Sequence, residues 1–277
     1  MRTVVFHLYS EMYRNTSGKL ADMLKQQKIR IWSGAWEDLA DQPEQILVVT
    51  DDREDARYAA SRQMALIFCE LPGETAFIDG ADMILQGFEE IDATFLRGVY
   101  RRHHGIPWTI AETERLYIRE SIEEDLAAFQ ELYRQDGMLD YLPDPGFHKE
   151  DGLYRLRQYI KNQYPFYGYG IWTVLEKKSG RVIGRAGLEN REYQGETVLE
   201  IGYMIEKESQ RKGYGEEAVR AVEAYAEKEK LAEELYAFIV PENRASIGLI
   251  EKMKYEKISD QTGDGLAVWI KKLGRNG

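Results

Sequence analysis

Glu206-Lys207-Glu208-Ser209-Gln210-Arg211-Lys212-Gly213-Tyr214-Gly215-Glu216-Glu217-Ala218 follows an apolar, strand-like run, Ile201-Gly202-Tyr203-Met204-Ile205, and leads into a long amphipathic segment. The periodicity predicts a helix over 213–229. Gly213 and Gly215 therefore flank a helix start, where backbone N–H groups lack intrahelical partners and the dipole end is positive. Residues without side chains let a phosphate approach that backbone closely, and Arg211 and Lys212 add positive charge to the same turn. Three readings fit these residues: a glycine-rich helix start with only a structural role, a G-x-G-x-x-A dinucleotide loop over Gly213–Ala218, or a pyrophosphate cradle of another kind. A dinucleotide loop sets its glycines against the strand end. Here seven charged or polar residues, 206–212, intervene, and the preceding strands read as antiparallel.

Around this stretch, three strands are expected at 170–176, 182–191 and 197–205. The turn residues Lys178-Ser179-Gly180 and Gln194-Gly195-Glu196 join them. Upstream lie a strand at 116–119, a helix at 122–133 capped by Ser121, and a helix at 152–163. Downstream come a strand at 235–240, a helix at 244–252 and strands near 255–259 and 266–272. Residues 1–110 instead alternate short apolar strands (3–8, 29–32, 46–50, 65–69, 83–85) with helices (17–27, 51–64, 91–102), the pattern of a small parallel sheet. The charged, Gly- and Pro-broken run Arg101–Trp108 marks a boundary near 110. The expected domains are thus 1–110 and 111–277.

Composition narrows the function. The 277 residues carry 37 basic and 48 acidic side chains, a net charge of −11. That speaks against general nucleic-acid binding, which needs a basic footprint, and is compatible with a cationic substrate. The halves share the charge almost evenly, with 12 basic and 17 acidic residues in 1–110 and 25 and 31 beyond. The single Cys69 excludes an intramolecular disulfide and a Cys-rich zinc site, and its apolar setting reads as core. The four histidines show no metal spacing, and the His103-His104 pair reads as a solvated loop. No apolar run approaches the ~20 residues that span a bilayer, and no signal segment opens the chain; a cytoplasmic protein without membrane partners is expected.

Gln210-Arg211-Lys212-Gly213-Tyr214-Gly215 resembles the Q/R-x-x-G-x-G/A signature of the GNAT N-acetyltransferase superfamily, in that family's order of strand, loop and helix. Thr113-Glu114-Arg115-Leu116-Tyr117-Ile118-Arg119 with Glu123-Glu124-Asp125 resembles the opening of the branch containing ribosomal-protein N-terminal acetyltransferases. Leu199–Ile205 resembles its fourth strand, and Pro241–Met253 its asparagine-bearing segment. The likeness covers about 112–273. It implies an α+β GNAT acyltransferase fold with a mixed, splayed sheet and acetyl-CoA as the acetyl donor. By similarity Arg211, Lys212, Gly213, Tyr214, Gly215 and Glu216 would hold the pyrophosphate, Asn243 the pantetheine arm, and a backbone N–H near Met204 the thioester carbonyl. Glu200 takes the place of a general base, with Glu189 the weaker alternative. Many relatives carry a tyrosine where this chain has Ile250, so Ser246 stands in as the candidate beside the leaving sulfur. Tyr164–Gly170 reads as an aromatic loop bordering the acceptor. The acceptor implied is a primary amine, of a small molecule or a protein N-terminus. The other reading is an acyl-CoA-binding sensor with little turnover.

Residues 46–91 resemble the closing half of a haloacid-dehalogenase-like phosphatase core. The strand-end position that needs two carboxylates there reads Phe6-His7-Leu8-Tyr9. Neither His7 nor Tyr9 supplies an aspartyl nucleophile or a Mg²⁺ ligand set. The expectation is a non-catalytic, Rossmann-like α/β module used for binding, docking or homodimerisation.

Overall fold

Every residue of Thr3–His7 (β1), Ile46–Thr50 (β3) and Ala65–Cys69 (β4) is buried, as continuous β-branched and aromatic runs must be when helices cover both faces of a sheet. The computed structural model describes residues 1–73, 78–89, 91–141, 144–260 and 262–274, in two compact units, Met1–Trp108 and Thr109–Gly277.

In the first unit Arg30–Trp32 (β2) and Met83–Leu85 (β5) complete a five-stranded parallel sheet of order β2-β1-β3-β4-β5. Glu11–Thr16 (α1), Gly18–Gln26 (α2) and Ala93–His103 (α4) pack on one face through Tyr13, Leu20, Leu24, Leu96 and Val99. Arg53–Ser61 (α3) covers the other through Ala56 and Ala59. Two expectations change. Helix α1 is an addition, unforeseen because six residues carry too few apolar positions to show a period. His103 is not in a solvated loop: it closes α4 half-buried, with Nδ1 2.9 Å from Asp82 and Nε2 2.9 Å from the Gln63 carbonyl. Cys69 is buried as read, and burial pushes its thiol pKa up.

The second unit is an eight-stranded mixed sheet. Its strands are Thr109–Glu112 (β6), Leu116–Arg119 (β7), Ile171–Glu176 (β8), Val182–Tyr193 (β9), Glu196–Ile205 (β10), Glu234–Ile239 (β11), Glu256–Ser259 (β12) and Ala267–Lys272 (β13), in the order β12-β13-β11-β10-β9-β8-β7-β6. Tyr214–Lys228 (α7) and Arg244–Lys252 (α8) accompany Leu126–Arg134 (α5) and Gly152–Tyr167 (α6) around it. Leu199 and Ile201 of β10 join the main core with α7, and Met204 joins Phe129, Leu132 and Leu156 of α5 and α6. Successive residues of β10 thus face opposite layers.

Two local readings are corrected. Ser121 does not cap the following helix. The chain enters it at Ile122, whose N–H donates to Asp125 at 3.0 Å while the Asp125 carboxylate forks onto Arg119 at 2.7 Å, and Ser121 turns to Tyr164 and Thr173. The expected aromatic loop is mostly helix: α6 runs to Tyr167, with Pro165 in its last turn and Gly168 left-handed (φ 75°) as its stop. Tyr164 is fully buried and bonded to Ser121, whereas Phe166 is 79% exposed. Pro165 has no N–H to continue the hydrogen-bond ladder, and the helix stops within three residues of it.

Candidate active site

The site lies where two neighbouring strands part. β10 and β11 are parallel and register only at Glu200 opposite Tyr236, so beyond that point the edge of β10 is left open. The orientation of that edge follows from the β9–β10 ladder. The Glu206 N–H donates to the Ile183 carbonyl at 2.8 Å, and antiparallel bonding alternates with period two. Met204, opposite Arg185, therefore directs its N–H at β9, and the Tyr203 N–H faces the gap. The Tyr203 N–H, beside Met204, is therefore the backbone donor on the open edge. The Ile205 carbonyl, on the same edge, accepts from Gln210 Nε2 at 2.9 Å, which pins the following loop to the strand end.

That loop delivers the start of α7. Gly213 is its N-cap, left-handed at φ 84°, and no side chain caps the first turn. Left-handed backbone suits glycine because it has no Cβ. Gly215 is close-packed for a different reason: a Cβ there would sit 3.2 Å from the Leu249 side chain of α8, which would have to shift slightly. Arg211 (φ 58°) and Lys212 are exposed. Tyr214 and Glu216 point elsewhere. Tyr214 Oη donates to Glu176 at 2.6 Å, and the Glu216 carboxylate is held below its usual range by Lys252 and Arg220. Their backbone, not their side chains, is what an anion would meet.

Arg115, from the turn before β7, braces this corner. Its Nε donates to Glu217 Oε2 at 2.7 Å and its Nη1 to the Lys212 carbonyl at 2.8 Å, and its guanidinium carbon lies 4.6 Å from the Tyr214 ring centroid. Thr113 and the Arg115 N–H also donate to Glu217. The brace occupies the Lys212 carbonyl as an acceptor. Arg115 stood in the quoted motif, but its partners lie about a hundred residues on, beyond any local spacing.

On the opposite side of the gap, Asn243 caps α8 through Oδ1, accepting from the Ser246 N–H at 3.1 Å. The Ser246 carbonyl accepts from Tyr203 Oη at 3.3 Å, and burial pushes the Tyr203 phenol up to about 12. Ile250 is fully buried in the core, so the position that carries a tyrosine in many relatives holds no hydroxyl.

Glu200 stands at the last paired position before the strands part, directly across from Glu189 on β9. Burial pushes its carboxyl up to about 7, and Arg191, whose Nη1 is 3.2 Å from Oε2, opposes the rise. Glu189 shifts the same way by desolvation, with Arg185 opposing, although its side chain reaches solvent. A carboxylate that titrates near neutrality is suited to accepting a proton from an ammonium group. Among the described residues no group of three or more His, Cys, Asp or Glu could hold a metal ion, and no helix is long and apolar enough to cross a membrane.

Known proteins resemble the second unit. A family profile described as an acetyltransferase (GNAT) domain matches residues 115–256. The protein YkkB of Bacillus subtilis (strain 168), itself labelled uncharacterized, is 34% identical over 108 residues, 38% of this chain and 63% of YkkB, so the match spans somewhat less than two thirds of that relative. YnaD of the same organism, labelled an uncharacterized N-acetyltransferase, is 28% identical over 141 residues, 51% of this chain and 79% of YnaD. Among solved structures, a ribosomal L7/L12 alpha-N-protein acetyltransferase in complex with coenzyme A superposes with a TM-score of 0.52 at 14% identity, covering 61% of this chain and all of that one. That likeness concerns the fold. Together with the splayed strands and the glycine corner, the profile match places the chain in the GNAT acetyltransferase family.

Proposed function

We propose that the second unit is an acetyl-CoA-dependent N-acetyltransferase in which a primary amine attacks the thioester directly, within a ternary complex. The observation that carries this reading is the start of α7, a helix N-terminus of fifteen residues with a left-handed glycine cap, no capping side chain and two exposed cations beside it. These residues fit a pyrophosphate. The N–H groups of residues 211–216 would hold it, and the amide of Asn243 would meet the pantetheine arm. Acetyl-CoA supplies an activated acyl carbon, and the chain's own groups do the rest. Glu200, directly or through water, takes the proton that keeps the amine from attacking. The Tyr203 N–H, on the open edge of β10, suits the charge that develops on the thioester oxygen. The Ser246 hydroxyl is the proton source nearest in sequence to the cap of α8.

Direct transfer needs no covalent acyl-enzyme, and Cys69 is a buried member of the first unit's core. The acceptor follows by analogy. The coenzyme A complex above belongs to an enzyme named for a protein α-amino group, so peptides with a free N-terminus head the panel, followed by polyamines and amino acids. Thiol release from acetyl-CoA over that panel tests the activity. The apolar Ile250, where many relatives carry a tyrosine, favours a second reading, an acyl-CoA sensor that turns over little. Glu200→Gln separates the two. A catalyst loses rate and keeps its affinity for acetyl-CoA, and a sensor has no rate to lose.

For residues 1–110 we propose a non-catalytic role in docking or dimerisation. Asp51 accepts from the Tyr9 and Ser10 N–H groups at 2.8 and 2.7 Å. The turn after β1, where a phosphatase would place its substrate's anion, is thus filled by the chain's own carboxylate.

A further inference from the structure

Arg191, near the end of β9, reaches residues of three other elements. Its Nη1 donates to Glu200 on β10 at 3.2 Å, its Nη2 donates to Asp264 of the β12–β13 loop at 2.6 Å, and its guanidinium carbon lies 4.3 Å from the Phe238 ring of β11. In the sheet order β13-β11-β10-β9 this one side chain links the candidate base to a loop from beyond the parted strands. A guanidinium can do this because its flat fork serves two carboxylates while its face rests on a ring. A lysine ammonium, a compact point charge, cannot. The loop is built to present its acid. Thr262 and Leu266 bond reciprocally, N–H to carbonyl at 2.7 Å and N–H to Oγ1 at 3.1 Å, and the Thr262 hydroxyl also holds the Asp264 carboxylate.

We propose that Arg191 is a positioning residue for Glu200, and that Asp264 sets how much of the guanidinium charge the base receives. The proposal rests on the reading of Glu200 as the general base. The groups that bear on Glu200 are Arg191 as cation and Glu189 and Asp264 as anions, with Tyr236 opposite on β11. Without Arg191, a half-buried carboxylate facing Glu189 keeps its proton well above neutral pH and cannot deprotonate an amine. With the guanidinium wholly its own, the carboxylate ionises early and becomes a weaker base. Sharing the cation with Asp264 holds Glu200 between these limits. The acceptor side follows the same logic: an ammonium arriving beside Glu200 meets a carboxylate whose direction is already fixed by one fork.

The test uses the full chain with its glutamate side-chain carboxyls labelled with ¹³C, titrated through neutrality by NMR. The Glu200 resonance is assigned by its loss in Glu200→Gln. Arg191→Gln is expected to raise its midpoint by about one pH unit. Asp264→Asn, at a side chain 56% exposed and so tolerant of change, is expected to lower it. Arg191→Lys should restore part of the shift, because the charge returns without the fork. The acid limb of acetyl transfer to an unblocked peptide should move in step. Midpoints unchanged in both Arg191→Gln and Asp264→Asn, or moved in the same direction, overturn the proposal. Its failure is separable from that of the base: Glu200→Gln with undiminished transfer defeats the base, and an inactive Glu200→Gln with an insensitive midpoint defeats only the tether.

Discussion

Each unit turns a strand end into a helix, and the two corners are built on opposite terms. After β3, Asp52 caps α3, its carboxylate accepting from the Glu54 and Asp55 N–H groups at 2.8 and 2.9 Å, while Asp51 takes the N–H groups after β1. After β10, Gly213 caps α7 without a side chain, and the polar brace from Arg115 engages a carbonyl. The first corner satisfies its donors internally and gains stability. The second has no side chain at its cap, and the function proposed above gives its amides to a ligand. A helix start is an anion site only where the chain declines to fill it, which is why a glycine there says more about function than an acid does.

The comparison breaks most sharply if the second corner is made to look like the first. Gly213→Asp puts a carboxylate at the cap, and repulsion at a few ångströms should weaken coenzyme A binding a hundredfold or more. Calorimetric titration reads this directly. Next in size is Glu200→Gln, expected to lower acetyl transfer about 10²- to 10³-fold without changing coenzyme A affinity. In the intact protein the rate should fall as pH drops below about 7. Burial raises the folded-state pKa, so the proton is retained to higher pH and the base is lost sooner on acidification. Arg115→Lys comes third. A lysine cannot hold both Glu217 and the Lys212 carbonyl, so coenzyme A should bind about tenfold more weakly, with the rate at saturation nearly intact. The smallest effect belongs to the first corner. Asp52→Ala should cost about 1 kcal/mol of stability, seen in denaturant unfolding, and leave coenzyme A affinity alone.

Much of this was legible in the residues. The apolar runs 46–50 and 65–69 mark β3 and β4 to the residue, because burial on both faces leaves no alternation to blur their ends. Helix α8 is equally sharp, bounded by the Asn243 cap and the Lys254 turn at φ 68°. Gly213 and Gly215 announced the corner. What the residues could not disclose are the contacts that join distant positions. Arg191 meets Asp264 across 73 residues, and Arg115 meets Glu217 across 102; neither leaves a local spacing to read. The choice between the Met204 and Tyr203 N–H groups is of the same kind. Strand alternation says that one of the two faces the gap, and only the register with β9 says which.

If the second corner keeps its amides for a ligand and the first does not, coenzyme A should protect only the second. Hydrogen–deuterium exchange of the full chain, with and without coenzyme A, tests it at both corners in one experiment. Strong protection of the amides of 211–216 is expected on binding, with those of Glu54 and Asp55 unchanged. Coenzyme A binding that leaves 211–216 exchanging as before would contradict it.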